Sequence, residues 1–375
     1  MANRAPTVRE IAELLDSWFP RRLAEHWDNT GLLLGDPDRS VETILTCLTI
    51  TPGVVEEARE LKANLIVSHH PILFRPAQKL VTTDPAAAVV VDLARHGIAV
   101  YSPHTAFDSA QGGINDMLAQ AIGLKDVIPL RTTAPPSSYK VTVFVPENDL
   151  QHVLDAMFEA GAGVIGDYRE CSFRVAGKGT FFGTESTSPT VGQKGRREEV
   201  DEWRVEVLCP GDRLAAVLKA MVDAHSYEEP AYDVYPLHAL PPQSEGAGRI
   251  GTIEPPCTLD ELARRVQSTL NAAAVGVVGT GDRPVSRLAI ACGSGGSFLE
   301  DAARKGADAL LTGEATFHKQ LEAEARGVAL ILAGHFETER FGVERLANRL
   351  AHALPSTRVC IAQAERRPDR ILVPS

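Results

Sequence analysis

Four histidines and two acids fall just beyond three apolar runs in this chain of 375 residues. Leu65-Ile66-Val67-Ser68 ends in His69 and His70, and Pro71 then removes the backbone donor that a continuing ladder needs. Ala99-Val100-Tyr101-Ser102-Pro103 leads into His104, with Asp108 four residues further on. Ala329-Leu330-Ile331-Leu332-Ala333-Gly334 leads into His335 and Glu339 at the same spacing. Residues four apart lie on one side of a helical turn, so each H-x-x-x-[DE] pair can act as two ligands. At a strand end the pleat relaxes, and the adjacent His69 and His70 can also converge on one point. Neutral imidazoles with anionic carboxylates suit zinc, iron, manganese, cobalt or nickel, and suit calcium poorly. Six candidates exceed the four ligands of a tetrahedral zinc. The surplus favours two divalent ions about 3.5–4 Å apart, bridged by a carboxylate. His26, His96, His152, His225, His238 and His352 stand alone and read as surface or satisfied residues, whereas His318 could line the cleft.

The elements that must position these side chains follow from pattern. Short apolar runs alternate with amphipathic stretches, which implies βαβ units and a largely parallel sheet. In such sheets the functional crevice lies beyond the carboxyl ends of the strands, where the histidines fall. Helix starts are marked by the capping boxes Thr7-Val8-Arg9-Glu10 and Thr258-Leu259-Asp260-Glu261, and by Thr51-Pro52 and Asp84-Pro85. Gly97 and Gly123 mark helix ends. Glu25-His26-Trp27-Asp28-Asn29-Thr30-Gly31 is a polar turn whose Trp reads equally as core or as pocket wall. The Gly293-Ser294-Gly295-Gly296-Ser297 turn between a strand and a helix can offer backbone N–H groups to a phosphate, or can simply be tight.

Two internal repeats organise the chain. Ala63–Ser68 matches Ala307–Thr312 at an offset of 244, and His104 and Asp108 match His335 and Glu339 at an offset of 231. Two related α/β halves would therefore face one another across a shared cleft. Between them, Pro146, Val153, Leu154 and Met157 match Pro210, Val217, Leu218 and Met221 at an offset of 64. Each copy reads as strand, proline turn and amphipathic helix, which together make a ferredoxin-like α+β unit. Pro-rich breaks at 132–138 and 240–246 bound it. The expected organisation is residues 1–131 and 246–375 as the two halves of one α/β metal-binding domain, with 132–245 inserted.

Composition removes several classes of partner. A net charge of −11 without a long basic run argues against nucleic acid, because phosphate neutralisation needs clustered Lys and Arg. The densest basic patch, Lys194-Gly195-Arg196-Arg197, is followed by Glu198 and Glu199 and reads as a solvated loop. Six scattered cysteines without a C-x-x-C pair fit reduced thiols in a cytoplasmic protein. No apolar run has the length of a membrane span, and no signal peptide is evident at the start.

Trp27-Asp28-Asn29-x-Gly31-Leu32, Ser68-His69-His70-Pro71, His104-Thr105-x-x-Asp108, Gly293-Ser294-Gly295, Thr312-Gly313-Glu314 and Gly334-His335-x-x-Thr338-Glu339 together resemble the Nif-three-like dinuclear-metal family. Its members are often named GTP cyclohydrolase I type 2 homologues. The resemblance spans nearly the whole chain and implies the long form, with an insert similar to PII or CutA proteins. It implies His69, His70, Asp108, His335 and Glu339 as metal ligands, Glu339 bridging two ions, with His104 beside them and its ligand status open. It also implies a homohexamer. One departure is visible: the family strand before the Thr-Pro helix start usually carries an Asp, whereas here the segment reads Leu48-Thr49-Ile50-Thr51. The expected activity is metal-dependent hydrolysis of a small, nucleotide-like substrate, with His104 as proton shuttle. The alternative is a metal-binding regulatory or chaperone-like protein without turnover.

Overall fold

The computed structural model describes residues 4–132, 138–238 and 244–369, so the Pro-rich breaks lie mostly outside the described residues. The chain divides into two compact units, Met1–Thr133 with Pro242–Ser375, and Ala134–Pro241. The fold is mixed α/β with several sheets.

The first unit begins with α1 (Val8–Trp18), β1 (Gly31–Leu34), β2 (Thr43–Cys47), α2 (Pro52–Glu60), β3 (Leu65–Ser68), α3 (Pro85–His96) and β4 (Ala99–Ser102). The short α4 (His104–Ser109), α5 (Ile114–Ile122) and β5 (Lys125–Thr132) follow. The second unit holds β6 (Ser138–Pro146), α6 (Leu150–Glu159), β7 (Ser172–Phe182), β8 (Arg197–Pro210), α7 (Leu214–Ala224) and β9 (Tyr232–Leu237). The chain then returns to the first unit with β10 (Gly246–Thr258), α8 (Leu259–Leu270), β11 (Gly276–Val278), β12 (Pro284–Ala291), α9 (Leu299–Arg304) and β13 (Ala309–Thr312). It closes with α10 (Phe317–Arg326), β14 (Ala329–Leu332), α11 (His335–Ala353) and β15 (Arg358–Ile361).

Two sheets in the first unit repeat one plan. One runs β1-β4-β3-β2-β15 and the other β11-β14-β13-β12-β10-β5. In each, three consecutive strands are parallel and an antiparallel strand, β1 or β11, closes one edge. The two runs of elements also exchange a strand, because β5 joins the second sheet through β10 and β15 joins the first beside β2. All residues of β2, β3, β4 and β13 are buried, which is why they read as mostly apolar runs whose few polar residues are Thr and Ser. Register aligns Cys47 with Ser68, and Ala291 with Thr312 and Leu332. The carboxyl ends of the parallel strands are thus flush, and the residues just past them share one rim.

The anticipated caps are present. Thr7 and Thr258 each close a capping box, Thr51 and Asp84 accept from the first turns of α2 and α3, and Gly97 and Gly123 take left-handed φ of 63° and 88° at the ends of α3 and α5. One core packs α1, α5, α8 and α11 against residues of both sheets. Helices α5 and α11 meet closely at Gly342, where a Cβ would lie 2.5 Å from Ile114 Cγ1. Separate cores lie under α2 and α3 and under α9 and α10.

The second unit is an antiparallel sheet ordered β7-β8-β6-β9 with its own core. The offset-64 repeat is visible in that core, since Val153 and Met157 of α6 and Val217 and Met221 of α7 are all fully buried. His225 is a satisfied histidine, with Nε2 bonded to Phe144 O and Nδ1 accepting from Tyr227 N.

Arg249 on β10 is 1% exposed and is the largest fully buried side chain described. It makes a two-pronged bond to Asp116 and donates to the carbonyls of Gly246, Gly248 and Ala110. Its removal would take the cation from Asp116, which keeps only the Gly112 N–H, and would strip buried donors from the Gly246, Gly248 and Ala110 carbonyls. Arg249→Ala should therefore destabilise the protein by about 3–5 kcal/mol. Urea unfolding measures this, and a change below about 1 kcal/mol would show that water replaces the guanidinium.

Candidate metal centre

His69 and His70 leave β3 still bonded to the neighbouring strand end, His69 N to Cys47 O at 3.0 Å and His70 N to Leu48 O at 2.8 Å. Ser102 Oγ donates to His69 O at 2.5 Å. The two rings end 5.2 Å apart, so the strand end does bring adjacent imidazoles together. His104 opens α4 with φ of 32°, a left-handed value unusual for a residue with a side chain. Such a conformation persists only where its surroundings over-determine it. His335 opens α11, and Glu339 follows one turn later, buried.

The six predicted residues meet in one cleft. Glu339 Oε2 lies 3.0 Å from His70 Nε2 and 2.9 Å from His335 Nε2. His69 Nε2 lies 3.6 Å from Asp108 Oδ1 and 3.8 Å from Glu339 Oε1. Donor atoms of His69, His70 and His104 fall within 4.8 Å of one another, as do those of His70, His335 and Glu339. His70 belongs to both groups. His318 is exposed and does not line the cavity of about 290 Å³ beside these residues, so the suggestion that it faces the cleft is corrected.

Partners behind the rings set their orientation. His104 Nδ1 bonds Asp28 Oδ1 at 2.7 Å, and His335 Nδ1 bonds Glu314 Oε1 at 3.0 Å. An ionised carboxylate only accepts, so Nδ1 carries a proton in each ring and Nε2 is the nitrogen turned to the cleft. Thr49 Oγ1, from the segment that lacks the family's Asp, lies 2.7 Å from His70 Nδ1. Asn115 Nδ2 donates to Asp108 O while its Oδ1 accepts from Cys292 N, tying α4 to the end of β12.

These outer partners were not singled out from sequence. Asp28 sits in a turn whose composition explains itself without a site. Glu314 had a usable signal, because positions 70 and 314 are related by the repeat offset of 244. Thr49 lay in the segment noted for lacking the family's Asp, and Asn115 had no signal.

The glycine-rich turn has a packing reason. At Gly293, with φ of 59°, a Cβ would sit 2.0 Å from Glu339 Oε1. Its N–H bonds Thr338 Oγ1, and that of Gly295 bonds Thr312 Oγ1. Two donors that a phosphate would need are thus committed to the protein, and the glycine makes room for the Glu339 carboxylate. Trp27 resolves toward the pocket wall, being 50% exposed and lining the cavity.

The donor set fits a cation. His69 is 2% exposed, and neither ring nitrogen has a hydrogen-bond partner. His335 Nε2 is buried close to Glu339 without hydrogen-bond alignment. Unsatisfied buried nitrogens are costly, and a metal ion satisfies them where the cleft also supplies negative charge.

Charge states within the cleft pull apart. Burial, then the Glu339 charge, pushes the Asp108 carboxyl up from 3.8 to about 7. Burial also opposes charge on Glu339, but His69, His335 and His70 outweigh it and hold that carboxyl well below its usual range. Glu339, assisted by Glu314, raises His335 from 6.5 to about 9 against the effect of burial. Burial, opposed by the Glu339 charge, lowers His69.

The pH dependence follows from these directions. Between 3.8 and about 7 the metal-free folded protein holds a proton on Asp108 that the unfolded chain has released, so stability falls as pH rises. His335 adds a loss of the same sign between 6.5 and about 9. The contribution of Glu339 runs the other way, present above 4.5 and lost as pH falls below it. A divalent ion must displace the protons of Asp108 and His335. Apparent affinity for Mn²⁺ or Zn²⁺ should accordingly rise from about pH 6 to about pH 9, with proton release. Calorimetry in buffers of different ionisation enthalpy reads both, and a flat profile without proton release would contradict this charge assignment.

The chain is similar to known proteins over most of its length. The family model for Duf34/NIF3 (NGG1p interacting factor 3) matches residues 6–368. A Halalkalibacterium halodurans protein named GTP cyclohydrolase 1 type 2 homolog is 37% identical over 325 residues, 87% of this chain and 87% of that one. A Mycobacterium tuberculosis protein of the same name is 38% identical over 361 residues, 94% of each chain. The crystal structure of a Bacillus cereus protein related to NIF3 aligns with a TM-score of 0.68 and 34% identity, over 98% of this chain and 100% of that one. A Staphylococcus aureus protein aligns with a TM-score of 0.75 and 28% identity, over 98% and 99%. A chain carrying this cleft, and matched from residue 6 to residue 368, belongs to the Duf34/NIF3 family.

Proposed function

We propose that this protein is a dinuclear divalent-metal hydrolase acting on a small, nucleotide-like substrate. The observation that carries this reading is the pair of donor groups sharing His70, with both nitrogens of buried His69 unpartnered between two acids. His69, His70, Asp108, His335 and Glu339 are the proposed ligands, with Glu339 between the two ions. A divalent ion there supplies Lewis-acid activation of water and of a carbonyl or phosphoryl group.

The remaining residues orient and carry protons. Asp28 holds His104 at Nδ1, so Nε2 is the atom that takes up and returns a proton, as general acid–base catalysis requires. Burial opposes the charge of Asp28, yet the hydrogen bonds from His104 and Thr105 hold its carboxyl below its ordinary range. It therefore stays an acceptor at neutral pH. The name carried by the curated relatives supports a purine nucleotide as the first compound to assay. We read the second unit as a ferredoxin-like insert of the PII/CutA kind, on its strand order and its internal repeat, and we propose a homohexamer.

Elemental analysis and a nucleotide panel including GTP test the reading, with wild type beside His69→Ala. Two ions per chain and turnover abolished in the variant are expected. Ions retained with no turnover would replace the hydrolase by a metal-holding regulatory or chaperone-like protein. Near-zero metal in protein never exposed to chelator would defeat both.

A further inference from the structure

Two aromatic side chains at the cleft have no part in the core or in the donor set. Trp27 is 50% exposed and Phe74 is 45% exposed. Their ring centroids are 5.7 Å apart, and each lies 6.2 Å from the ring of His104. Half-exposed rings usually gain by folding onto neighbouring apolar surface, but this pair is pinned. Asp28, next to Trp27, has a fully buried side chain that accepts from His104 Nδ1, Thr105 N and Thr105 Oγ1. Glu25 N donates to Thr105 Oγ1, and Asp28 N to Glu25 O, closing the turn around Trp27. Asn29 Nδ2 then donates to Leu73 O, which couples this turn to the segment carrying Phe74. The bonds that orient His104 therefore also hold a stiff aromatic corner beside it.

That corner borders the cavity of about 290 Å³, whose wall includes Trp27, Glu25, His104, His335 and Glu339. The space is at the small end of ligand pockets and does not admit a folded protein segment. An indole face held open next to a polar centre attracts another π face, and such stacking is tolerant of which ring is presented. Glu25 on the same wall offers an acceptor to ring N–H groups.

We propose that Trp27, flanked by Phe74, is the stacking platform for a planar heteroaromatic ring, and that it sets the ring's position relative to the His and Glu cluster. The proposal rests on reading the cleft as a substrate site and deepens it by naming the group that is recognised. Asp28 and Asn29 are positioning residues for the platform.

The test uses metal-loaded, full-length protein with guanosine, GTP and inorganic triphosphate as probes, followed by tryptophan fluorescence and calorimetry. Guanosine and GTP should quench emission saturably, and triphosphate should not. Trp27→Leu should abolish the quenching and weaken guanosine binding about 10- to 100-fold. Its melting temperature, metal content and sedimentation should stay as in wild type, and Trp27→Phe should bind within a few-fold. Equal guanosine affinity in wild type and Trp27→Leu overturns the platform. So does an absence of binding by guanosine and by pteridine and pyridine nucleosides. A smaller sedimenting species for Trp27→Leu would instead make the aromatic pair a contact between copies, which also overturns it. Metal content separates the two readings. Retained metal with unaltered ring binding in the variant removes only the platform, whereas wild-type protein without metal removes the site on which it depends.

Discussion

Two carboxylates that both approach the buried ring of His69, the half-buried Asp108 and the buried Glu339, are the constraint on which the rest of the site depends. Both are carried by helices that begin immediately after parallel strands, and both face His69, with His70 close to Glu339 as well. Like charges this close cannot both stay ionised without compensation. The protein arranges that compensation with histidines rather than with Lys or Arg, so Glu339 keeps its charge and Asp108 is pushed toward holding a proton. An arginine or lysine would neutralise the pair permanently. Imidazoles can give up their protons, which leaves the negative charge available to a cation.

The two runs of elements contribute unequally to this arrangement, although their plan is the same. Each supplies a histidine at a helix start with an acid one turn later, and each steadies that histidine with a carboxylate, Asp28 or Glu314. Only the first adds a histidine pair at the central strand end. The equivalent positions of the second are Gly313 and Glu314, and there a Cβ on Gly313 would lie 2.6 Å from Gly293 O and 2.7 Å from His335 Cα. Glycine lets the turn bearing His335 close in, while Glu314 reaches back to hold its ring. One strand end donates to the cleft, and its counterpart packs and orients.

Rigidity comes from contacts that cross between distant parts of the sequence. Arg249 and Asn115 fasten the segment after Asp108 to β10 and β12. The segment after β15 grips α11 on the other side, through Glu365 with Arg340 and Arg367 with Glu337. Glu365 also accepts from Leu48 N and Thr49 N, which steadies the hydroxyl behind His70. The clustered imidazoles and carboxylates are thus held in place by packing and hydrogen bonds of the protein itself, as a preorganised site requires.

Much of this was legible in the chain itself. Apolar runs that end in His69-His70, in His104 and in His335 mark strand ends, because a strand buried on both faces must be apolar and must stop where polar groups begin. Spacing alone puts Asp108 and Glu339 on the same side of a turn as their histidines, and caps at Thr7, Thr51, Asp84 and Thr258 mark the helix starts from local hydrogen-bond chemistry. Local pattern therefore set the elements, their alternation and the clustered histidines and acids at the strand ends, since each depends on neighbours within a few positions. That Thr49 backs His70, that Asn115 and Arg249 clamp the acid-bearing loop, that Gly293 yields its volume to Glu339 and that Trp27 stands open beside the cleft came from the folded chain alone. Those facts depend on which surfaces meet across hundreds of residues, and no local period or cap encodes a meeting of that kind.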